Sequence, residues 1–391
     1  MKSNNIYLAL IPALLVSGSV LANSDTRSVA MGGTGVAASN YLSAPFHNPA
    51  LVANNSTDDH FGLVLPSVSL RARDSSNLID NINNFQDLNN EFFNDKNSNY
   101  SKLTNEQAKK WEDQLNSIHD GSVLASARVG AAISIPSKVI STSIFLKTGI
   151  DAVANVSLDK SDLDISKYNP KAGFSNSGIE LTASGVAEVG VSLAKSFDFS
   201  NGRSLMFGMS PKFQYLSVAH YADTLDMFDI SDFDLNKNAS KQGGFNIDVG
   251  AAFKPIENVT IGIVGENLIS RKINSTGLDG VVNLYEITPS VKAGISYSYH
   301  GMTVTTDIDL NKYKTLVMGE QKFFNAGIEY DCYKWIQLRA GYKKDMLNKD
   351  ADGVVSAGVG LKPFGAFGID IAAQKAGERD YTASVQFVVE L

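Results

Sequence analysis

The chain has 391 residues, a formal net charge of −7 and a single cysteine, Cys332. The acidic balance argues against a nucleic-acid-binding surface, and one cysteine excludes both a disulfide framework and a Cys-x-x-Cys redox motif. A hydrophobic fraction of 43% with 32 glycines and 10 prolines fits an all-β chain with many turns.

The first residues have the pattern of an export signal. Lys2 is followed by an apolar run over 6–16 and by the small residues Val20 and Ala22. This order predicts a secretory signal peptide over 1–22, with the mature chain starting near Asn23. No later segment holds 18 consecutive apolar residues, so no transmembrane helix is expected. A closed β-barrel remains compatible with a membrane, because its strands pair all their backbone groups.

A glycine-rich segment follows, MGGTGVAASNYLSAPFHNPALVAN over 31–54. Gly33, Gly35 and Ala38 have the spacing of a dinucleotide-binding loop. Such a loop needs a strand before it, a helix after it and an acidic residue roughly 20 positions later. Only NSDTRSVA lies between the predicted cleavage site and this segment, and Pro45 and Pro49 would interrupt a crossover helix. We therefore reject a nucleotide site and expect no cofactor.

The stretch 74–121 carries two apolar patterns at helical spacing. The residues concerned are Leu78, Ile82, Phe85, Leu88 and Phe92, and then Ala108, Trp111, Leu115 and Ile118. Thr104 and Gln107 precede the second pattern as a capping box. We expect a helical insertion in a long loop. It either packs its apolar stripe onto a barrel rim, or forms a groove that captures a hydrophobic ligand through Leu78, Ile82, Phe85, Phe92, Trp111 and Leu115.

From residue 123 onward apolar and polar residues alternate with period two, most clearly over 381–391. The alternating segments are about 9–16 residues long, longer than the usual ~5–6 of globular strands. Short turns alternate with longer polar loops at about 74–121, 152–177, 221–243, 270–284, 314–321, 345–352 and 376–379. This layout predicts an antiparallel transmembrane β-barrel of about 14 strands over 59–391. A soluble antiparallel sandwich and a secreted β-solenoid are the alternatives.

Charged residues fall on the faces predicted to point inward. They are Glu180, Glu188, Lys212, Asp248, Lys254, Lys292, Asp307, Asp309, Glu329, Arg339, Asp370 and Glu390. Charges of both signs in a lumen should pair with one another or with a plug, although a polar translocation path is the second interpretation. Tyr297, Tyr299, Tyr313, Trp335 and Tyr342 lie near predicted strand ends and are expected to form an interfacial aromatic belt.

Three remaining patterns carry little chemistry. Asp223, Asp226, Asp229, Asp232 and Asp234 fit a solvated acidic loop better than a cation site. The stretch 348–353 imitates the start of a calcium loop but lacks the glutamate at its twelfth position, so a turn is expected. A pairing of His220 with Asp223 is weak evidence for catalysis, and no hydrolase motif is present. We expect neither an enzyme nor a metal site.

The segment from Ala30 to Ala37, followed by Ser43 to Phe46 and by Asn48-Pro49-Ala50-Leu51, resembles the start of the FadL-like outer-membrane proteins. The match is closest to the branch labelled conjugal transfer TraF-type proteins. The resemblance implies that 23–58 sits inside the barrel as a hatch past which hydrophobic compounds cross the outer membrane. The plug or gate residues would be Gly32, Gly33, Gly35, Pro45, Asn48, Pro49 and Ala50. Whether such a hatch is a static plug or a moving gate stays open.

Two functions follow as hypotheses. The first is a FadL-like channel in the outer membrane of a Gram-negative bacterium that takes up hydrophobic small molecules. The second is a structural or interaction protein of that membrane, linked to conjugal transfer or surface contact. Either would contact outer-membrane lipid and lipopolysaccharide, and the second could bind the conjugation machinery. A channel should have an apolar cavity and an exit, whereas an interaction protein can be fully plugged.

Overall fold

The computed structural model describes residues 24–56, 59–74, 76–93, 103–170, 172–174, 176–199, 202–225, 239–276, 282–333 and 335–391. The predicted signal peptide over 1–22 lies outside this part of the chain. Within the described residues no helix has the length and apolar character needed to cross a membrane.

Long antiparallel strands dominate the chain. The barrel strands are β1 (Gly62–Arg73), β2 (Ser122–Ile135), β3 (Ser141–Ser157), β4 (Gly178–Asp198), β5 (Ser204–Thr224), β6 (Ala239–Ile256), β7 (Val259–Glu266), β10 (Ser290–Tyr299), β11 (Met302–Asp309), β14 (Phe323–Cys332), β15 (Ile336–Asp345), β16 (Val354–Leu361), β17 (Phe367–Ala376) and β18 (Asp380–Glu390). Two small hairpins are β8 (Arg271–Thr276) with β9 (Val282–Ile287) and β12 (Tyr313–Thr315) with β13 (Gly319–Gln321). The α-helices are α1 (Thr26–Ala30), α2 (Leu78–Phe93) and α3 (Asn105–Asn116), and 3₁₀ turns cover Ala44–Phe46, Pro49–Ala53 and Ile165–Lys167.

The barrel closes through β1 and β18, and each barrel strand otherwise pairs with its neighbours along the chain. The backbone N–H groups of His60 and Phe61 donate to the carbonyl oxygen of Leu391 at 2.9 and 3.0 Å, which extends the seam beyond the strands. Closure leaves no sheet edge, so the backbone can be satisfied within lipid. The prediction of an all-β antiparallel barrel with 14 strands is confirmed, and the sandwich and solenoid alternatives were wrong.

The two faces of each strand differ as the period-two pattern predicts. On β4, Val189 is 55% exposed while the neighbouring Glu188 is fully buried. On β6, Phe245 is 75% exposed and Asp248 is buried. An apolar exterior over a polar interior is the arrangement of a transmembrane barrel, with the exposed side chains facing lipid.

Several predicted loops are shorter than expected because the strands continue into them. β3 runs to Ser157, where the loop was expected from 152, and β5 runs to Thr224 instead of ending near 221. Asn155 still pairs with Glu180 in the ladder. The apolar alternation ends before the hydrogen-bonded ladder does, since strands that extend beyond lipid no longer need apolar outer residues.

Two predicted loops form the hairpins β8–β9 and β12–β13, which fold into the long-loop end of the lumen. Ile273, Ile287 and Leu316 are buried there. They pack on Val186 of β4 and on the β5 residues Leu216 and Val218. The two hairpins therefore cover the mouth of the barrel, whereas the sequence pattern predicts only polar loops at these positions.

The stretch between β1 and β2 contains the predicted pair of helices. Asp74 caps α2, since its carboxylate accepts from the backbone N–H of Leu78 at 2.6 Å. The capping box of α3 is confirmed. The Gln107 N–H donates to Thr104 Oγ1 at 3.2 Å, and the Thr104 N–H donates to Gln107 Oε1 at 2.9 Å. We call these helices, with the loop 158–177 that packs on them, the helical cap.

Candidate functional site: a plugged lumen

Residues 24–54, called the plug below, lie inside the short-turn half of the barrel. α1 packs against β15 to β18, and the turn Pro49–Ala53 packs against β4, β5 and β6. Asn54 Oδ1 accepts from Nζ of Lys254, which lies beside the short β6–β7 turn. All seven predicted plug or gate residues belong to this segment.

Asn48 and Pro49 start the last turn of the plug. Asn48 Oδ1 accepts from the Ala50 N–H at 3.1 Å as an N-cap, and Pro49 occupies the first helical position. The Asn48 amide then donates to Val36 O at 2.8 Å and to Ala251 O of the barrel wall at 3.3 Å. One side chain thus connects a turn, a second segment of the plug and the barrel wall. Pro45 similarly lies in the short turn Ala44–Phe46.

The glycines of the plug make close backbone approaches. Gly32 and Gly33 have φ values of 71° and 91° after α1, a conformation that glycine adopts without strain. A Cβ on Gly32 would lie 2.6 Å from the backbone nitrogen of Tyr342 in the wall. The N–H groups of Gly35 and Val36 donate to Asp307 Oδ2 on β11 at 2.7 and 2.9 Å.

Charged groups complete the attachment. Arg27 binds Glu329 of β14 through two hydrogen bonds, at 2.8 Å from Nε and 2.7 Å from Nη2, and donates to Ala38 O at 2.7 Å. Asp25 caps α1 and lies 3.3 Å from His47 Nε2. Burial raises the pKa of Asp25, but the hydrogen bond from His47 and the neighbouring positive charges hold it below the usual value. These contacts favour a plug that is held firmly in place.

The wall facing the plug is lined with glycines that the sequence interpretation missed. In the described part of the barrel, nine glycines on nine strands leave too little room for a side chain beside the plug: Gly62, Gly130, Gly208, Gly250, Gly262, Gly294, Gly327, Gly341 and Gly358. A Cβ on Gly327, for example, would lie 2.6 Å from Met31 O. We call this set the wall glycines. Glycine in a strand interior indicates that another segment approaches the backbone closely, so these glycines were the feature of the sequence that could have predicted the contact with the plug.

Replacing Asn48 with alanine should destabilise the protein by about 2 kcal/mol, because it removes a helix cap and leaves buried carbonyls of Val36 and Ala251 with fewer partners. Equilibrium unfolding in urea, in lipid vesicles, would measure the change. Asn55→Ala is the matched control, since the Asn55 side chain donates to the exposed carbonyl of Ser56 and otherwise accepts only a long 3.5 Å hydrogen bond from Ser141 Oγ. Equal effects of the two changes would contradict the anchoring role of Asn48.

A cavity of about 690 Å³ lies above the plug. Val29 of the plug contributes to its lining, and Ile287 and Val317 line it from the hairpin segments. Charged side chains of the strands fill much of the wall, and many are paired. The pairs include Arg71 with Asp380 at 2.7 Å, Arg128 with Asp151 at 2.6 Å and Lys292 with Glu266 at 2.6 Å. The cavity is therefore mixed in polarity and is not the continuous apolar channel that a hydrophobic path would show.

The predicted inward charges are mostly paired, as expected. Lys212 contacts Glu188 and Asp248, and Arg339 contacts Glu329 and Asp370. Glu180 shares the face of β4 that carries Glu188 and lies 3.3 Å from His220 Nδ1, although its side chain is 53% exposed at the end of the strand. One expectation was wrong. Tyr313 lines the cavity from β12, with Lys292 Nζ 5.7 Å from its ring centroid, and does not belong to an outer aromatic belt.

Comparison with known proteins identifies the group to which this architecture belongs. The family model described as "F plasmid transfer operon, TraF, protein" matches residues 45–309, more than half of the chain. The chain belongs to this TraF family. The comparison with curated protein sequences yields no match.

The TraF-family chain also has the fold of solved outer-membrane channels. The toluene transporter TbuX of Ralstonia pickettii superposes with a TM-score of 0.52 at 14% identity, over 95% of this chain and 98% of TbuX. The toluene transporter TodX of Pseudomonas putida gives 0.52 at 13% identity, over 95% and 99%. The monoaromatic hydrocarbon channel CymD gives 0.52 at 12% identity, over 96% and 98%. The predicted resemblance to FadL-like barrels of the TraF branch is confirmed, and these relatives in fold are channels, not enzymes.

The six predicted capture residues of this TraF-family chain lie together in the core of the helical cap. Leu78, Phe85, Trp111 and Leu115 are at most 2% exposed, and Ile82 and Phe92 pack at the margin of the same cluster. Phe174 and Ile165 from the loop 158–177 fill the other side. Trp111 Nε1 also donates to Asn89 Oδ1 at 2.9 Å. The side chains of this cluster pack on one another.

The other candidate positions show local structure without ligand chemistry. Asn348 Oδ1 accepts from the N–H groups of Asp350 and Ala351 at 3.2 Å, which makes the calcium-like stretch a turn. Among the described residues no group of three or more His, Cys, Asp or Glu is placed to hold a metal ion. His220 Nδ1 lies 3.3 Å from Glu180, so the suggested pair with Asp223 is not observed. The other four aspartates of that loop lie outside the described residues.

Proposed function

We propose that this TraF-family protein is a FadL-like channel of the Gram-negative outer membrane that takes up hydrophobic small molecules. A closed barrel with an apolar exterior supports the location, in contact with lipid and lipopolysaccharide. A plug inside the lumen and the fold shared with the toluene transporters TbuX and TodX support the transport role. Solutes would enter at the long-loop end and reach the cavity above the plug.

The observation that carries this proposal is an apolar contact between the plug and an irregular part of the wall. Tyr41, Leu42 and Phe46 of the plug pack against Val64 of β1 and against neighbouring apolar residues of β2 and β3. Next to Val64, β1 shifts register against both of its neighbours, around Pro66. Proline has no N–H to donate to the ladder, so pairing is interrupted there. A hydrophobic solute released at this point would pass sideways into lipid.

In the proposed channel, the helical cap is a folded, closely packed unit and not an open binding groove. Its apolar residues are already buried against one another, so a ligand would have to displace them before it could bind. Capture by Leu78, Ile82, Phe85, Phe92, Trp111 and Leu115 remains a proposal that requires the cap to open. In the packed state the cap instead holds the long loop in one position over the barrel.

The alternative function is an interaction protein associated with conjugal transfer. The description of the family model favours it, and so does the plug, whose hydrogen bonds reach several strands of the wall. A plug held in this way suits a protein that transports no solute and binds its partners through its loops. A contact with the conjugation machinery is the partner that this alternative predicts.

Uptake of radiolabelled toluene into lipid vesicles containing the purified full-length protein tests the channel. We expect uptake above that of vesicles containing an unrelated barrel of similar size, and a severalfold reduction in Pro66→Thr, which can restore ladder pairing at the irregular site. Uptake equal to the control barrel would shift the assignment to the interaction role. Absence of the protein from the outer-membrane fraction of its host would contradict the location itself.

A further inference from the structure

Two lysines lie on the lipid-facing side of the barrel at its long-loop end. On β15, Lys344 follows Tyr342 by two positions, and the Tyr342 side chain is 41% exposed. On β17, Lys375 follows Ile371 by four positions, and the Ile371 side chain is 53% exposed. Because alternate side chains of a strand share one face, both lysines belong to the outer surface.

A third lysine, Lys322, lies beside Lys344 on the same surface. The Met346 N–H donates to the carbonyl oxygen of Lys322 at 2.7 Å, which continues the pairing of β14 with β15 by one step beyond the strands. Lys322 shares a face with Phe324, whose side chain is 37% exposed. We call Lys322, Lys344 and Lys375 the outer lysines.

The lengths of the strands place the outer lysines at the edge of the lipid. β14, β15 and β17 have 10 residues each, about the length that a tilted strand needs to cross the hydrocarbon core. Lys344 and Lys375 are the penultimate residues of their strands, and Lys322 directly precedes β14. All three therefore lie at the level of the lipid headgroups on the long-loop side.

The outer lysines have no carboxylate within 4.0 Å in the part of the chain that the structure describes. Lys344 Nζ donates to backbone carbonyls of the loop 345–352, and Lys322 Nζ makes only a long hydrogen bond of 3.5 Å to another carbonyl. Lys375 Nζ lies 5.8 Å from the ring centroid of Tyr381. Positive charge without a neighbouring carboxylate on the outer surface is complementary to a phosphorylated lipid.

An apolar and aromatic surface adjoins the outer lysines. Tyr342, Val355, Lys375 and Tyr381 are direct cross-strand neighbours on β15 to β18. Val355 and Tyr381 are 56% and 54% exposed. This row is continuous with the lipid-facing exterior, so acyl chains can pack against it while a headgroup reaches the lysines.

We propose that this sector of the outer surface binds the lipid A part of lipopolysaccharide, with its phosphates at the outer lysines and its acyl chains on Tyr342, Val355 and Tyr381. This inference rests on the outer-membrane location in the proposed function, and it does not depend on transport. Each lysine donates charge-assisted hydrogen bonds to phosphate oxygens. A lysine beside an anionic lipid surface strengthens binding by about fivefold.

Native mass spectrometry of the purified full-length protein in detergent, with added lipid A, tests this proposal. We expect lipid A to bind about tenfold or more tightly than the same lipid without its phosphates, and to bind about tenfold or more weakly to the double variant Lys322→Gln, Lys375→Gln. This variant leaves Lys344 and its loop contacts in place. Lys195→Gln is the matched control, since Lys195 Nζ lies 5.5 Å from the ring centroid of Phe197 at the short-turn end. It should leave lipid A binding unchanged.

The comparison of lipids on the wild-type protein keeps the test decisive even if the double variant folds poorly. Equal binding of lipid A and its dephosphorylated form would overturn the proposal. A double variant that keeps the heat-dependent gel shift of a folded barrel and binds lipid A like the wild type would overturn it as well. Phosphatidylglycerol bound as tightly as lipid A would reject recognition of lipid A itself. Toluene uptake without a preference for lipid A would leave the channel function standing and reject only this inference, whereas a preference for lipid A without toluene uptake would do the reverse.

Discussion

Replacing Arg27 with alanine is expected to lower the free energy of unfolding by about 3–5 kcal/mol. Arg27 and Arg339 together face Glu329 and Asp370 in the buried centre of the barrel. Without Arg27, two carboxylates share one cation, and Ala38 O loses a 2.7 Å hydrogen bond. An uncompensated buried charge costs far more than a surface pair contributes. Equilibrium unfolding in urea, in lipid vesicles, measures the loss.

Two further variants separate charge balance from general damage to the plug. Adding Glu329→Gln to Arg27→Ala leaves one cation facing one carboxylate, so part of the stability should return. Arg203→Ala removes an exposed arginine at a short turn and should change stability by less than about 0.5 kcal/mol. If the double variant were less stable than Arg27→Ala alone, the proposed charge balance would be wrong.

Truncating Trp111 to alanine should destabilise the helical cap by about 3–5 kcal/mol while the barrel stays closed. The Trp111 ring lies 5.4 Å from that of Phe85 and 6.0 Å from that of Phe174, and it is fully buried. Its loss leaves a cavity and removes the indole donor from Asn89 Oδ1, while the Asn89 amide keeps its hydrogen bond to the Tyr168 hydroxyl. Limited proteolysis should then cut within 78–118, while the heat-dependent gel shift of the folded barrel is retained.

Exposed and marginal positions of the cap provide the comparison. Lys110→Ala on the exposed face of α3 should leave protease resistance unchanged. Ile82→Ser and Phe92→Ser change residues at the margin of the cluster, where the cap can stay folded. Reduced toluene uptake by these two variants with a protease-resistant cap would support the capture role. Loss of the heat-dependent gel shift in Trp111→Ala would instead show that cap and barrel are not separable.

Local patterns in the sequence predict much of this fold. The alternation of apolar and polar residues predicts which side chains of a strand point outward, and turn residues predict where each strand ends. The number of strands and the order of short and long connections can therefore be predicted from the sequence alone. The capping box at Thr104 and Gln107 is likewise a three-residue relation. The position of the plug rests on a different basis, since only the resemblance of 30–51 to a known family places it within the lumen.

Contacts across the lumen could not be predicted in this way. Arg27 and Glu329 are separated by 302 positions, and no local period connects them. The same holds for Gly32 against Tyr342 and for Ile273 against Val218. The period-two pattern predicts that a side chain points into the lumen. It does not predict which side chain from another strand or from the plug lies opposite it. The mixed polarity of the cavity and the ion pairs in its wall depend on those pairings.

The wall glycines should leave an evolutionary record. Each marks a place where backbone or side-chain atoms of the plug lie close to the position that a Cβ would take, so glycine and plug are constrained together. Relatives that retain a plug of this shape should retain small residues at positions equivalent to Gly208, Gly327 and Gly341. Relatives that have lost the plug should be free to place larger residues there. An alignment sorted by the presence of the Asn-Pro segment would reveal whether the inner surface and the plug have changed as one unit.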